Sequence, residues 1–399
     1  VHGSVPVPES RRRSDAAVVP ASGSRVEQSP AIFIQGNVWF VNDRPFFPRI
    51  VDGQRGEFET LRQRGWNTIR LPVAPQLEDI QVAQQLGLML IAPVPEVPSA
   101  ELQLNASDPV LAWEVQQPPD WNEQQTRTMI DFARNVPDVS RRPIVSRHVF
   151  TRSGWNRFID AWQHTRPVFG SSFAMNRFEA WLRERHERVG PDKPYIVQLS
   201  GHVSPDMLTQ AERLGFADPV PVMTGRHIRQ VVRCALAAGA QGIAATRPRE
   251  NSVHASNDAA WEIANLELAL LEPWLAAGHK RTTIETTRDD VTFLLLATDR
   301  SKFAVPVVST PQGSHVPPRH TEGRLDLVIP GVWRSSIAYL VTHDAIRPLP
   351  HRTVAGGLQV TIPDLSLAQG VLVTRDPLIA AHVRRHLRET VSRRLTLAA

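Results

Sequence analysis

The 399-residue sequence predicts an α/β TIM barrel, (β/α)8, followed by an antiparallel β-sandwich. The barrel is predicted by a unit that recurs along the first part of the chain: a helical run, a glycine, then a short apolar strand. Beyond about residue 279 the hydrophobic period changes from that of a helix to the two-residue alternation of strands. This change predicts a domain boundary near residue 279.

The recurring unit is clearest in three segments. Helical runs at 57–64, 77–86 and 226–238 are each followed by glycine, the residue that favours a helix C-terminus, and then by strands at 67–72, 88–93 and 241–246. Further strands are predicted at 46–51, 111–115, 143–146, 167–170 and 195–199, with helices at 122–134, 177–188 and 257–276. Together they make eight strand–helix units in about 230 residues, as a (β/α)8 barrel requires.

The two ends of the chain differ from the barrel in pattern. Residues 1–29 mix Pro, Ser and Arg without periodicity and predict a flexible leader, which suits export or tethering and an extracytoplasmic location. A hairpin at 31–41 turns at Gly36-Asn37 and opens the barrel domain, 30–279. The sandwich domain, 280–399, has short strands at 282–287, 291–297, 302–308, 324–329, 336–341, 358–362 and 370–374, then a helix at 377–389.

Composition excludes several functional classes. The net charge of +5 is spread along the chain, which gives no basic surface typical of nucleic-acid binding. No stretch reaches the ~18 consecutive apolar residues of a transmembrane helix. Cys234 is the one cysteine, so no intrachain disulfide can form, and a buried inert thiol is expected. We find no metal-ligand spacing and no phosphate-binding glycine loop, so neither a metal nor a cofactor is expected. The sequence predicts no particular protein partner.

Two motifs resemble a known family. Gly65-Trp-Asn-Thr-Ile-Arg-Leu-Pro72 and Leu111-Ala-Trp-Glu-Val-Gln-Gln-Pro118, together with the hairpin, are similar to the clan of retaining glycoside hydrolases built on (β/α)8 barrels. Many members of that clan carry a C-terminal β-sandwich. Arg70 matches the arginine of the clan's second strand, and the resemblance covers about residues 32–375.

The resemblance also implies that the catalytic carboxylates are lost. In the clan a general acid/base follows strand four and a nucleophile follows strand seven, about 5 Å apart across the sugar site. In this sequence Trp113 matches the clan's tryptophan, but Pro118 stands at the acid/base position. Lys193-Pro-Tyr-Ile-Val-Gln-Leu-Ser-Gly201 matches the strand-seven frame, with Leu199 at the nucleophile position. Neither residue can perform acid–base or nucleophilic chemistry.

Three hypotheses about function follow. The first is a catalytically degenerate, glycoside-hydrolase-like barrel that binds carbohydrate or has an architectural role. The second is an active glycosidase with relocated carboxylates, for which the candidates are Glu96, Glu114 and Glu250. The third is a purely structural assembly protein.

Residues at the strand ends are the candidates for ligand binding, because catalytic and binding groups of such barrels lie at the C-terminal mouth. The candidates are Arg70, Gln117, His148, Gln198, His202 and Arg247. Each could instead be an ordinary rim or loop residue. We expect Trp113 and Val115 to pack in the barrel and Gln117 to reach its mouth.

Overall fold

The structure is a computed structural model that describes residues 32–94, 108–115, 142–147, 158–168, 173–200, 224–246, 255–277, 280–309 and 323–398, with a few short stretches between them. The predicted leader lies outside these residues. Most of the helix predicted at 122–134 also lies outside them.

Three short antiparallel strands open the described chain. They are β1 (Ile32–Gln35), β2 (Val38–Val41) and β3 (Arg44–Phe46). The turn between β1 and β2 contains Gly36 at φ 58°, a left-handed conformation that glycine adopts without strain. The prediction of a single strand at 46–51 is wrong, because Arg44–Phe46 joins this small sheet and the barrel begins at Arg49. Pro48 lies between the two strands and has no N–H to continue a ladder.

Eight parallel strands form a closed barrel. They are β4 (Arg49–Asp52), β5 (Thr68–Arg70), β6 (Met89–Pro93), β7 (Val110–Val115), β8 (Ile144–Ser146), β9 (Ala161–Thr165), β10 (Tyr195–Ser200) and β11 (Gly242–Thr246). The last strand closes the ring by pairing with the first, Ile243 opposite Arg49. The predicted TIM barrel is therefore confirmed.

The sixth barrel strand is not where the sequence predicted it. The strand is Ala161–Thr165, and the predicted segment 167–170 follows it. The cause is composition: Gln163 and His164 are polar but buried, so the strand lacks the apolar run on which the prediction relied.

Helices surround the barrel on its outer side. The described ones are α1 (Phe58–Gln63), α2 (Leu77–Leu86), α3 (Met175–Val189), α4 (Gly225–Ala237) and α5 (Ala255–Ala277). Gly87 ends α2 at φ 64°, and Gly65 and Gly239 also have positive φ, as the predicted helix ends require.

Alternate residues of each barrel strand point in opposite directions, either into the barrel or outward toward the helices. The inner layer contains Ile50, Ala112, Ala161, Ile196 and Ala244, and it packs with Ile32 and Trp39 of the opening sheet. The outer layer contains Val51, Ile69, Trp113, Val197 and Ile243, and it packs against the helices. The opening sheet therefore contributes apolar side chains to the barrel interior, with Trp39 fully buried.

Two antiparallel sheets follow the barrel. The six-stranded sheet contains β12 (Lys280–Glu285), β13 (Val291–Ala297), β14 (Ser301–Val308), β16 (Ile337–Val341), β17 (Ile346–Pro348) and β20 (Gly370–Thr374). The three-stranded sheet contains β15 (Leu325–Pro330), β18 (His351–Val354) and β19 (Gly357–Ile362). One apolar cluster combines side chains from both sheets, which confirms the sandwich. The sequence did not predict β17 and β18, which are short and largely exposed and so lack apolar alternation.

The sandwich packs on two helices of the barrel, α4 and α5. Gln230 Nε2 and Arg233 Nη1 on α4 donate to the carbonyls of Val308 and Pro306 on β14, at 3.1 and 3.0 Å. Leu294, Leu296 and Phe303 belong to the same apolar cluster as the barrel helices. The boundary predicted near residue 279 falls between the end of α5 and the start of β12, and the division into domains there stays a prediction.

The closing helix α6 (Pro377–Ala398) begins where predicted and is longer than the predicted 377–389. Among the described residues, no helix is both long and apolar enough to cross a membrane.

Replacing Trp39 with alanine is expected to destabilise the protein by about 3–5 kcal/mol, because the indole fills space inside the barrel that neighbouring groups cannot occupy. Phe40→Ala is the matched control in the same strand. Its ring is partly exposed and stacks on Phe33 at 4.9 Å, so a loss of about 1 kcal/mol is expected. Urea unfolding measures the stability of both variants. Equal losses would contradict the role of Trp39 in filling the barrel interior.

Candidate functional site

Polar side chains form a layer at the C-terminal ends of the barrel strands. They continue the inner-facing positions one step beyond the apolar layer: Asp52 follows Ile50, Glu114 follows Ala112, and Gln198 follows Ile196. Arg70, Gln163 and Thr246 occupy the equivalent positions on their strands. We call this set, with Arg147 and Thr165, the mouth layer.

Glu114 is the central carboxylate of the mouth layer. It is 0% exposed, and Arg147 binds it in a bidentate manner, with Nε 2.6 Å from Oε1 and Nη2 2.9 Å from Oε2. Arg70 Nε lies 3.2 Å from the same Oε1. This third contact lacks hydrogen-bond geometry, so its contribution is electrostatic. Two guanidinium groups therefore surround one buried carboxylate and favour its charged form.

Arg70 connects Glu114 to the rest of the layer. Its Nη1 donates to Asp52 Oδ1 at 3.1 Å, and its Nη2 donates to Gln163 Oε1. Burial lowers the pKa of the Arg70 guanidinium, and the negative charge of Glu114 opposes that shift. The buried guanidinium thus lies in contact with both carboxylates, Asp52 and Glu114.

A chain of amide and hydroxyl groups runs from Gln163 along three neighbouring strands, β9, β10 and β11. Gln163 Nε2 and Thr165 Oγ1 both donate to Gln198 Oε1, the latter at 3.1 Å. Gln198 Nε2 then donates to Thr246 Oγ1 at 2.5 Å. The amide oxygen of Gln198 accepts two hydrogen bonds from within the barrel, which holds this side chain in place.

Four members of the mouth layer are at least partly exposed, and two of them, Asp52 and Arg147, carry a charge. The Asp52 side chain is 39% exposed and that of Arg147 is 30% exposed. Burial acts to lower the pKa of Arg147, but the charge of Glu114 and the hydrogen bonds to it outweigh burial and raise that pKa. A carboxylate and a permanently charged guanidinium are therefore available to solvent above a packed polar layer.

The structure brings three of the predicted candidates together: Arg70, Glu114 and Gln198 all lie in the mouth layer. Candidates outside the described residues are Glu96, Gln117, His148, His202, Arg247 and Glu250. The ligand-binding roles assigned to all six binding candidates stay predictions.

Sequence reasoning missed five members of the layer, Asp52, Arg147, Gln163, Thr165 and Thr246. Asp52 and Arg147 end or follow a predicted strand, so the strand-end rule applied to every strand could have found them. Gln163 could not be found in this way, because the sixth strand was predicted in the wrong segment.

The strand frames taken from the resemblance also need a correction. Leu199, assigned to the nucleophile position, faces outward and belongs to the barrel–helix cluster, whereas its neighbour Gln198 faces the interior. Trp113 and Val115 are buried as expected, but they pack in the outer layer and not inside the barrel. Glu114 between them faces inward.

A group of titratable side chains lies on the outer face of the same strands. His164 and Tyr195 are neighbours on β9 and β10, with ring centroids 5.1 Å apart, and His186 of α3 stacks on Tyr195 at 5.3 Å. Neither ring nitrogen of His164 has a hydrogen-bond partner in the described structure. Burial, with Arg185 and His186 adding to its effect, lowers the pKa of His164 to about 4.

The closed parallel barrel, with antiparallel sheets after it, defines the chain as a TIM-barrel protein with a β-sandwich. Solved structures similar to it include glycoside hydrolases. A noncanonic maltogenic α-amylase from Thermotoga neapolitana is 9% identical at a TM-score of 0.49, covering 82% of this chain and 98% of that one. An α-fucosidase from Thermotoga maritima is 8% identical at a TM-score of 0.46, covering 81% and 78%.

An α-galactosidase from Geobacillus stearothermophilus is 8% identical at a TM-score of 0.41, and the match covers 82% of this chain and 55% of that one. Similarity of this size carries no argument about activity or site residues, so the fold assignment rests on the barrel itself. No protein-family model and no curated protein matches the chain.

Replacing Glu114 with glutamine is expected to lower the free energy of unfolding by about 3–5 kcal/mol, because it removes the negative charge that Arg70 and Arg147 share. Glu184→Gln is the matched control. Glu184 pairs with Arg188 on the exposed face of α3, where a surface pair contributes about 0.5 kcal/mol. Urea unfolding measures both variants, and a Glu114→Gln loss as small as that of the control would contradict the network.

Because His164 is buried, we expect the free energy of unfolding to decrease as the pH falls. Its pKa in the folded protein lies below its value of 6.5, so the unfolded chain binds more protons between pH 6.5 and about 4. Stability is complete above pH 6.5 and is lost as the pH falls toward 4, by roughly 3 kcal/mol from this group.

Urea unfolding across this pH range checks the effect of His164. His164→Phe is expected to flatten the pH dependence. An identical slope in wild type and His164→Phe would contradict the assignment.

Proposed function

We propose that this protein binds carbohydrate at the barrel mouth without hydrolysing it. The observation that carries the proposal is the position of Glu114 between the guanidinium groups of Arg70 and Arg147. Of the two inward-facing carboxylates in the described mouth, Asp52 and Glu114, the fully buried one is committed to this ion cluster.

The ion cluster opposes both roles that retaining hydrolysis needs. A general acid must be protonated before it reacts, and two adjacent guanidinium groups favour the ionised form of Glu114. A nucleophile must free one oxygen for the anomeric carbon, yet Arg147 engages both oxygens of Glu114. On the seventh strand the inward residue is Gln198, whose amide does not titrate.

Asp52 and Arg147, the charged pair that is partly exposed, support carbohydrate binding. Asp52 is an acceptor and Arg147 is a donor, and both face solvent above a layer that is already packed. Sugar hydroxyl groups donate and accept hydrogen bonds at once, so adjacent charged donors and acceptors suit them. A rigid base beneath the two groups limits the ordering cost on binding.

An architectural role is the second candidate, and the packing of the mouth layer favours it. Arg70 and Gln163 are buried and hydrogen-bonded to other members of the layer. A glycosidase that uses Glu96 or Glu250 is the enzymatic alternative.

The test is a panel of soluble neutral oligosaccharides and polysaccharides with the purified full chain, followed by calorimetry and by product analysis. We expect binding without product release, and a tenfold or larger loss of affinity in Asp52→Asn, which keeps the side-chain shape. Arg188→Ala on the exposed face of α3 is the control and should bind as wild type does.

Two outcomes would overturn the proposal. Product release that disappears in Glu96→Gln, Glu114→Gln or Glu250→Gln would establish a glycosidase. Absence of binding across the panel, with a correctly folded protein, would favour the architectural role.

A further inference from the structure

Trp333 is a large aromatic side chain on the surface of the sandwich, and it is 62% exposed. It lies in the connection between β15 and β16, next to the start of β14 and the end of β20. Three exposed residues lie beside it. Arg334 follows it in the sequence, and strand pairing brings Ile337 next to Arg375, because Ile337 pairs with Thr374. We call these four residues the Trp333 patch.

The backbone holds Trp333 in an outward position. Val332, the preceding residue, packs against the core between the two sheets, so the next side chain points away from it. The amide of Ser336 donates to the carbonyl of Trp333 at 2.9 Å, and Ser336 is itself buried. The indole is therefore presented by a hydrogen-bonded turn anchored on both sides.

Arg375 lies over one face of the indole. Its guanidinium carbon is 4.6 Å from the ring centroid, within the range of a cation–π contact. This contact restrains the ring and, because most of the side chain is exposed, leaves the opposite face for a ligand. A ring that is already held loses little side-chain entropy when it binds.

The charge around the indole is positive. Arg334 and Arg375 form no ion pair with any residue that the structure describes, whereas the neighbouring Arg300 pairs with Asp376. Lys302 donates to the carbonyl of Pro330, at the start of the same connection. Two uncompensated guanidinium groups beside an exposed indole favour an anionic ligand that also has an apolar face.

We propose that the Trp333 patch is a second carbohydrate-binding site and that it takes acidic polysaccharide. This rests on the proposed function in taking carbohydrate as the ligand. The C–H face of a uronate ring can pack on the free face of the indole, and its carboxylate can pair with Arg334 or Arg375. A neutral sugar would accept hydrogen bonds from these guanidinium groups but would leave their positive charges uncompensated.

The test is affinity electrophoresis of the full chain in gels that contain polygalacturonate, with neutral dextran gels in parallel. We expect retardation by polygalacturonate alone, weakened at least tenfold by Trp333→Ala and reduced by salt. Leu214→Ala replaces an equally exposed apolar residue of the barrel domain and is the control. Circular dichroism confirms that each variant is folded.

Two results would overturn this site: no retardation by polygalacturonate, or equal retardation of wild type and Trp333→Ala. The two sites fail separately. Loss of neutral-oligosaccharide binding in Asp52→Asn concerns the mouth, and loss of polygalacturonate binding in Trp333→Ala concerns the patch.

Discussion

The burial of Glu114 inside the barrel is the constraint on which the mouth depends. A carboxylate removed from water is tolerated only when it is paired and hydrogen-bonded, because desolvation of a lone charge costs several kcal/mol. Arg147 supplies two hydrogen bonds and Arg70 a second positive charge. Arg70 is buried as well, so it needs partners of its own, and it finds them in Asp52 and Gln163.

That requirement spreads across the barrel. Gln163 must place its amide group, and Gln198 accepts its hydrogen bond, while Thr165 and Thr246 satisfy the remaining groups of Gln198. Residues from six strands thus become one network, because each buried polar group requires the next. The same network holds the side chains of the mouth layer to one another, and it engages both oxygens of Glu114 with Arg147.

The barrel mouth and the surface of the sandwich differ in chemical character. The mouth offers charged groups above a packed base, whereas the Trp333 patch offers an aromatic face with positive charge around it. The two are carried by different parts of the chain, and α4 links those parts through Gln230 and Arg233 to backbone carbonyls of β14. Arg233 is buried, and burial lowers its pKa to about 10, yet Glu267 keeps a compensating charge beside it.

The sequence by itself determined the architecture, because periodicity and helix-ending glycines are local signals. Gly87 ends α2, Tyr195–Ser200 forms a barrel strand, and the change to alternating strands after α5 marks the sandwich. The strand at Ala161–Thr165 escaped prediction because its inward and outward polar residues, Gln163 and His164, are satisfied or enclosed only in the folded barrel.

Only the tertiary structure decided which side chains enter the mouth. Val110–Val115 is buried on both faces, as parallel barrel strands are, so its sequence has no alternation that could reveal the direction of Glu114. The register of β7 against its neighbours turns Glu114 inward and Trp113 outward. On β10, the register of that strand turns Gln198 inward and Leu199 outward. Pairing with Arg70 and Arg147 joins residues far apart in the chain, which local pattern cannot encode. The identity of the mouth layer is therefore a property of the closed barrel.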